Sequence, residues 1–213
     1  TFPACGTPLA TFEGTTAYSN SLYTGRGISC GGTAPSGYRF QCCELVMRHF
    51  LSKWGFRWYG NAKELLSKAP RDKVDIYANG DWQHPPVPGD MLVWTVGTHG
   101  HVGLVTAVTE NRVDIIEQNW GTTGRSSFSY DGRTVGPRPD ARSWVPAGWA
   151  HAKKNVVVPA WDCARSRWGQ GQLWTCDASG ARQRLKCVDG VPTRERCQTA
   201  CQPRALGTDD VCL

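Results

Sequence analysis

The sequence predicts an α+β domain followed by a small disulfide-rich one, on three observations. An amphipathic helical pattern comes early, a close run of strand patterns follows it, and six of the ten cysteines fall after residue 160. Helices first and antiparallel strands second is the order of a layered α+β fold, not of alternating parallel units.

The helix begins after the breaker-rich run Gly31-Gly32-Thr33-Ala34-Pro35-Ser36-Gly37. Apolar positions at Cys43, Val46, Met47, Phe50, Leu51 and Trp54 make a stripe of helical period. That phase puts Cys43 on the buried stripe and Cys42 just before it, at the helix N-terminus. Unpaired backbone N–H groups there favour a thiolate, so Cys42 reads as a nucleophile and Cys43 as core. A second helix is expected from an N-cap at Asn61 through Lys68 until Pro70 stops it.

Three strands are expected over 91–96, 101–109 and 112–119, the last two joined by a short turn at Glu110-Asn111 into a hairpin. Segments around Phe128-Ser129-Tyr130 and Trp149-Ala150-His151 complete a small sheet or barrel. Residues 1–40, rich in Gly, Ser, Thr and Pro, read as an extended arm within a catalytic-size domain of residues 1–152. Residues 153–160 read as a linker, although Val156-Val157-Val158 also suits a last strand. The segment 161–213 has too few aliphatics to fold without staples. Within it Asp189-Gly190 is a hairpin turn signal.

Ten cysteines point to an oxidising compartment, hence to a secreted protein. Cys163, Cys176, Cys187, Cys197, Cys201 and Cys212 allow three bridges, and Cys5 with Cys30 makes a fourth that clamps the arm. Cys42 and Cys43 are then left reduced; the alternative bridges Cys43 to Cys5 or Cys30. The chain begins at Thr1, which reads as a processed N-terminus. No apolar run approaches the roughly 20 residues of a membrane span. The net charge of +6 is mild and scattered, and no basic-aromatic motif for nucleic acid is present.

A cysteine nucleophile requires a histidine, and the histidine an orienting group. His49 lies two helical turns past Cys42, too far to reach it. His101 opens the strand His101-Val102-Gly103-Leu104-Val105 beside Gly100, a rigid place with open space for a substrate. Strand alternation puts Ile115, Glu117 and Asn119 on one face of the next strand. Either polar group is placed to accept the Nδ1–H bond of His101.

Gln41-Cys42 with Glu44-Leu45, Pro88-Gly89-Asp90-Met91-Leu92-Val93-Trp94, His101-Val102-Gly103-Leu104-Val105 and Glu117-Gln118-Asn119 together resemble the CHAP family of amidases and peptidases. The resemblance covers roughly residues 30–151 and implies a papain-like architecture. It implies Cys42 over Cys43 as nucleophile, His101 over His99 as base, and Glu117, Asn119 or both as orienting groups. The implied activity is hydrolysis of an amide bond in bacterial peptidoglycan, by an endopeptidase or a muramoyl–alanine amidase. The backbone N–H of Cys42 is the expected oxyanion donor, and the Gln41 side chain is either a second donor or a group with a role in the fold. Competing expectations are a wall-binding protein without catalysis and an amidase acting on a small amide.

Some phage-derived members carry an acidic calcium loop before the cysteine, but residues 17–37 contain no Asp or Glu. His99 and His101 with Asp90 lack further ligands at a familiar zinc spacing. Neither metal nor cofactor is expected, nor a nucleic-acid partner or membrane insertion, and the chain is expected to be a monomer. The tail resembles cysteine-rich C-terminal extensions of proteins secreted by predatory soil bacteria, through Trp174-Thr175-Cys176 and Cys187-Val188-Asp189-Gly190-Val191-Pro192.

Overall fold

The computed structural model describes residues 1–81, 84–109, 111–157, 175–176, 183–188, 191–202 and 209–213. The chain divides into two compact units, Thr1–Val157 and Val158–Leu213.

Unit 1 opens with β1 (Pro8–Phe12) and β2 (Thr15–Tyr18), an antiparallel hairpin. Its turn, Glu13-Gly14, takes left-handed φ at both residues (43° and 80°), the backbone that matches strand twist in a two-residue turn. The N-terminal arm is therefore partly sheet. Its glycine- and threonine-rich composition hid the alternation that buries Thr15 and Ala17. Cys5 is bridged to Cys30 across a Cα–Cα distance of 6.0 Å, closing the arm into a loop. Two short strands, β3 (Thr33–Ala34) and β4 (Gly37–Tyr38), then lead into the helix.

Helix α1 runs Cys42–Trp54 and ends at Gly55, whose left-handed φ of 80° returns its N–H to Leu51 O at 3.1 Å. Glu44 in the first turn and Lys53 in the last complement the helix dipole. The buried face holds Cys42, Leu45, Val46, Met47 and Phe50, with Glu44 and His49 beside them. The expected phase is thus displaced by a residue at its start. Cys42 is 8% exposed, whereas Cys43 is half-buried and packs against the core edge.

The second helix is a single 3-10 turn, Ala62–Glu64. One helical bond continues beyond it, Lys68 N–H to Glu64 O at 2.9 Å, and side chains supply further bonds to these carbonyls. Ser67 Oγ donates to Glu64 O at 2.9 Å and Trp58 Nε1 to Leu65 O at 3.0 Å. The expected start at Asn61 stands: its N–H donates to the Glu64 carboxylate at 2.8 Å.

The remaining strands are β5 (Val74–Ala78), β6 (Met91–Trp94), β7 (His101–Val108), β8 (Arg112–Ile116), β9 (Arg125–Ser129) and β10 (Gly148–Ala152). They form one antiparallel sheet in the order β5-β10-β6-β7-β8-β9, open rather than closed into a barrel. β5 was not foreseen. On one face Met91, Val93, Val102, Leu104 and Ile116 meet α1. On the other Leu92, Trp94, Val105, Ile115, Phe128 and Trp149 make a second core. All four residues of β6 are buried because it is covered on both faces. The fold is α+β, one helix on an antiparallel sheet.

In unit 2, β11 (Thr175–Cys176), β12 (Gln183–Val188) and β13 (Val191–Arg196) form a three-stranded antiparallel sheet. β14 (Cys201–Gln202) pairs with β15 (Val211–Cys212), and Cys197 is bridged to Cys212. Cys201 is disulfide-bonded as well. The expected turn at Asp189-Gly190 and the pairing of Cys163, Cys176 and Cys187 lie outside the described residues, as does the end of the expected linker. Residues 153–157 form no strand.

Candidate active site

Cys42 occupies the first position of α1, where the helix leaves its N–H groups unpaired. Its N-cap, Gln41, is extended and makes no side-chain cap bond. Ser, Thr, Asp or Asn there would occupy the donors at the helix start. Both Cys42 and Cys43 carry free thiols.

His101 is delivered by the first residue of β7, preceded by a glycine that nothing else replaces. Gly100 has φ of 73°, and a Cβ there would lie 2.4 Å from Trp94 O and 2.6 Å from Lys63 N. The 97–100 loop is held by the 3-10 turn, with Lys63 N donating to His99 O at 3.0 Å. His101 itself is buried, flanked by Trp94 and Trp120 with ring centroids at 5.8 and 4.9 Å.

The Nε2 of His101 lies 2.6 Å from Glu117 Oε2. Glu117 therefore takes Nε2 rather than the expected Nδ1, which is left for the hydrogen bond between His101 and Cys42. Glu117 follows directly on β8 and shares the face of Ile115, as alternation requires.

Asn119 does not hydrogen-bond His101. The strand ends at Ile116 and Asn119 has a left-handed φ of 60°, so alternation has stopped applying there. Its Nδ2 donates to Gln41 Oε1 at 2.7 Å and to Arg26 O at 3.1 Å, and its Oδ1 accepts from Asn20 Nδ2 at 2.9 Å. The Gln41 amide is committed too, its Nε2 donating to Arg26 O at 3.2 Å and Ile28 O at 2.7 Å. Gln41 thus fixes the 26–28 loop, the second of its two expected roles, and its N–H groups are committed there. Between these residues, Gln118 donates to Gln41 O and Glu44 Oε2, each at 3.0 Å. Three successive residues tie three elements together: Glu117 to β7, Gln118 to α1 and Asn119 to the N-terminal arm.

The electrostatics favour an ion pair. The thiol of Cys42 is held well below its usual range, chiefly by a hydrogen bond from Cys43 and then by His101, against the opposing effect of burial. The same contact pushes Cys43 well above. Burial opposes charge on His101, but hydrogen bonds to Cys42 and Glu117 raise it to about 9. Burial likewise opposes charge on Glu117, and His101 with Arg138 brings it down to about 2. These shifts all run toward thiolate, imidazolium and carboxylate together.

Arg138 was missed. It sits between prolines in a loop, where a solvated arginine would read the same way, yet it is 1% exposed. Its Nη1 and Nη2 donate to Glu117 Oε2 and Oε1 at 2.9 and 3.0 Å. Ser126 also donates to Glu117, and Trp120 lies under the guanidinium with 4.1 Å from Cζ to its centroid.

Cys42 and His101 open into a cleft of about 1060 Å³, lined also by Tyr38, Tyr59, His99, Trp120 and Trp144. The arm contributes Arg26 and Gly27 to it, so the N-terminal segment is part of the cleft wall. Among the described residues, no group of three His, Cys, Asp or Glu is placed to hold a metal ion. No helix there is long and apolar enough to cross a membrane.

Residues 33–119 match the family model of the CHAP domain. Endolysin PlyTW of Staphylococcus phage Twort (strain DSM 17442 / HER 48) is 30% identical over 96 residues, which are 41% of this chain and 20% of the endolysin. The match thus spans only a fifth of that relative. Among solved structures, wild-type endolysin LysIME-EF1 aligns at 19% identity over 62% of this chain and 60% of that one, with a TM-score of 0.41. Ly7917, solved with the hydrolyzing product of MDP, aligns at 18% identity over 53% of each chain, with a TM-score of 0.36.

Proposed function

With residues 33–119 a CHAP domain, we propose that this chain is a secreted, cysteine-dependent peptidoglycan hydrolase that cleaves amide bonds and lyses bacterial walls. The observation that carries the reading is the buried row Cys42–His101–Glu117 opening into the cleft. The endolysin relative supports peptidoglycan as the substrate class. The Cys5–Cys30 and Cys197–Cys212 bridges support an oxidising, extracellular setting.

The Cys42 thiolate attacks the amide carbonyl, and the oxyanion forms beside the Cys42 N–H at the positive end of α1. His101 Nδ1 then gives its proton to the departing amine, leaving a thioester on Cys42. Water deprotonated by His101 resolves the thioester. Glu117 holds the imidazole ring and balances its charge. Gln41 and Asn119 act at one remove, by fixing the 20–28 arm that borders the cleft.

Incubating the protein with purified sacculi and separating soluble fragments by mass spectrometry tests this. New free amines are expected with wild type and none with Cys42→Ala. Equal release by both chains would sink the reading. Intact muropeptides retained on the protein would instead favour wall binding without catalysis.

A further inference from the structure

We propose that Arg138 is a positioning residue of the cysteine–histidine machinery. Its buried guanidinium is the counter-charge that lets Glu117 and Cys42 be anionic at the same time. The inference rests on Cys42 and His101 being the reacting pair, but it concerns a residue beyond the 33–119 segment.

Four ionisable groups are packed in a row away from water. Cys42 meets His101, His101 meets Glu117 at 2.6 Å, and Glu117 is gripped through both oxygens by Arg138. In the reactive form their charges alternate as thiolate, imidazolium, carboxylate and guanidinium, and sum to zero. Without the guanidinium, the row would hold one uncompensated buried anion, which is costly. A proton would then settle on the stronger base of the two anions, and a thiolate is the stronger base by about four pK units. The arrangement would collapse to thiol, imidazolium and carboxylate, with the nucleophile lost.

Among the described residues, no other arginine or lysine is a direct partner of Glu117 or Cys42. Arg138 faces Glu117 and Ser126 from the sheet, Trp94, Trp120 and Phe128 as rings, and Asp140 from its own loop. Asp140 binds Nε at 3.1 Å with a side chain 57% exposed, so solvent screens it. Around Glu117 the other partners are His101 and Ser126, and around Cys42 they are Cys43 and His101. A lysine keeps the charge but not the two-pronged grip, which separates the two roles.

The test reads the thiolate directly and uses no substrate. Iodoacetamide alkylation is followed against pH in a Cys43→Ser background, on the peptide 40–48 by mass spectrometry. Arg138→Met should move the acid-side midpoint up by about one pH unit or more, a tenfold loss of rate below it. Arg138→Lys should fall between. Glu117→Gln/Arg138→Met removes both buried charges, a change such pairs often tolerate, and should recover at least half the shift. If Arg138→Met does not fold, the double variant is compared with Glu117→Gln, and the guanidinium's loss should again raise the midpoint. Equal midpoints in the available pair would overturn the proposal. So would an Arg138→Met shift that the double variant fails to recover, since a merely structural role predicts that. A chain that alkylates as described yet leaves sacculi intact would overturn the proposed function and leave this inference standing.

Discussion

The two shortest histidine–carboxylate pairs among the described residues of unit 1 are nearly equal in length and different in character. His101 Nε2 lies 2.6 Å from Glu117, and His151 Nδ1 lies 2.7 Å from Asp90. Both carboxylates are buried. Glu117 is driven down to about 2, whereas burial raises Asp90 despite its bonds to His151, Val87 N–H and Asn155. The difference is a cation. Glu117 has Arg138 on its far side, and Asp90 has only neutral donors there. His101 also has a thiol as its second partner, and His151 stands near the Tyr77 ring at 6.4 Å. A short histidine–carboxylate contact is therefore not in itself a mark of chemistry; what lies on each side of it decides.

The sharpest break between the pairs is expected at the histidines. His101→Ala should lower release of amines from sacculi by about 10³-fold or more, since it removes both proton carrier and thiolate partner. His151→Ala should stay within a few-fold of wild type. Comparable losses in the two variants would erase the distinction.

At the carboxylates the expected gap is smaller. Glu117→Gln should cost about 10²-fold in kcat and about 3–5 kcal/mol of stability, because it leaves Arg138 buried without its partner charge. Asp90→Asn should cost about 1 kcal/mol, as its partner His151 is partly exposed and can release its proton to water. Urea unfolding of both variants, read with turnover, checks the ranking.

The smallest effect is in the pH profile. Glu117 is lowered from 4.5, so its stabilisation is present above pH 4.5 and lost as pH falls toward about 2. His101 is raised from 6.5, so its stabilisation is present below pH 6.5 and lost as pH rises toward about 9. The stability gap between wild type and Glu117→Gln should therefore be widest between pH 4.5 and 6.5. Asp90 has the opposite sign: a raised carboxylate loses stability as pH climbs through its titration. His49, lowered to about 4 by burial, is common to all the chains and cancels. A gap that does not vary with pH would remove the electrostatic account of the difference.

Much of this was legible in the linear chain. The helical period from Cys42, the hairpin on either side of Glu110-Asn111 and the strand opening at His101 are local signals, and local signals survive in sequence. The same holds for Cys5 with Cys30, where the even count pointed to the bridge. Local rules failed where their premise ended. Alternation reached Glu117 but not Asn119, because the strand stops at Ile116 and the backbone turns left-handed. Helical phase misjudged Cys42, because the burial of a first-turn residue depends on what packs over the helix end.

By itself the sequence determined the α+β order, the place of Cys42 at a helix start and that of His101 at a strand start. Both places follow from periodicity and breakers within a dozen residues. Only the tertiary structure decided which nitrogen of His101 meets Glu117, that Gln41 and Asn119 fasten the arm, and that Arg138 completes the charge row. Those choices depend on which buried donors find which acceptors across 16 to 99 positions of chain, and on how many charges share one dry space. Neither distance nor dielectric is written in any local pattern.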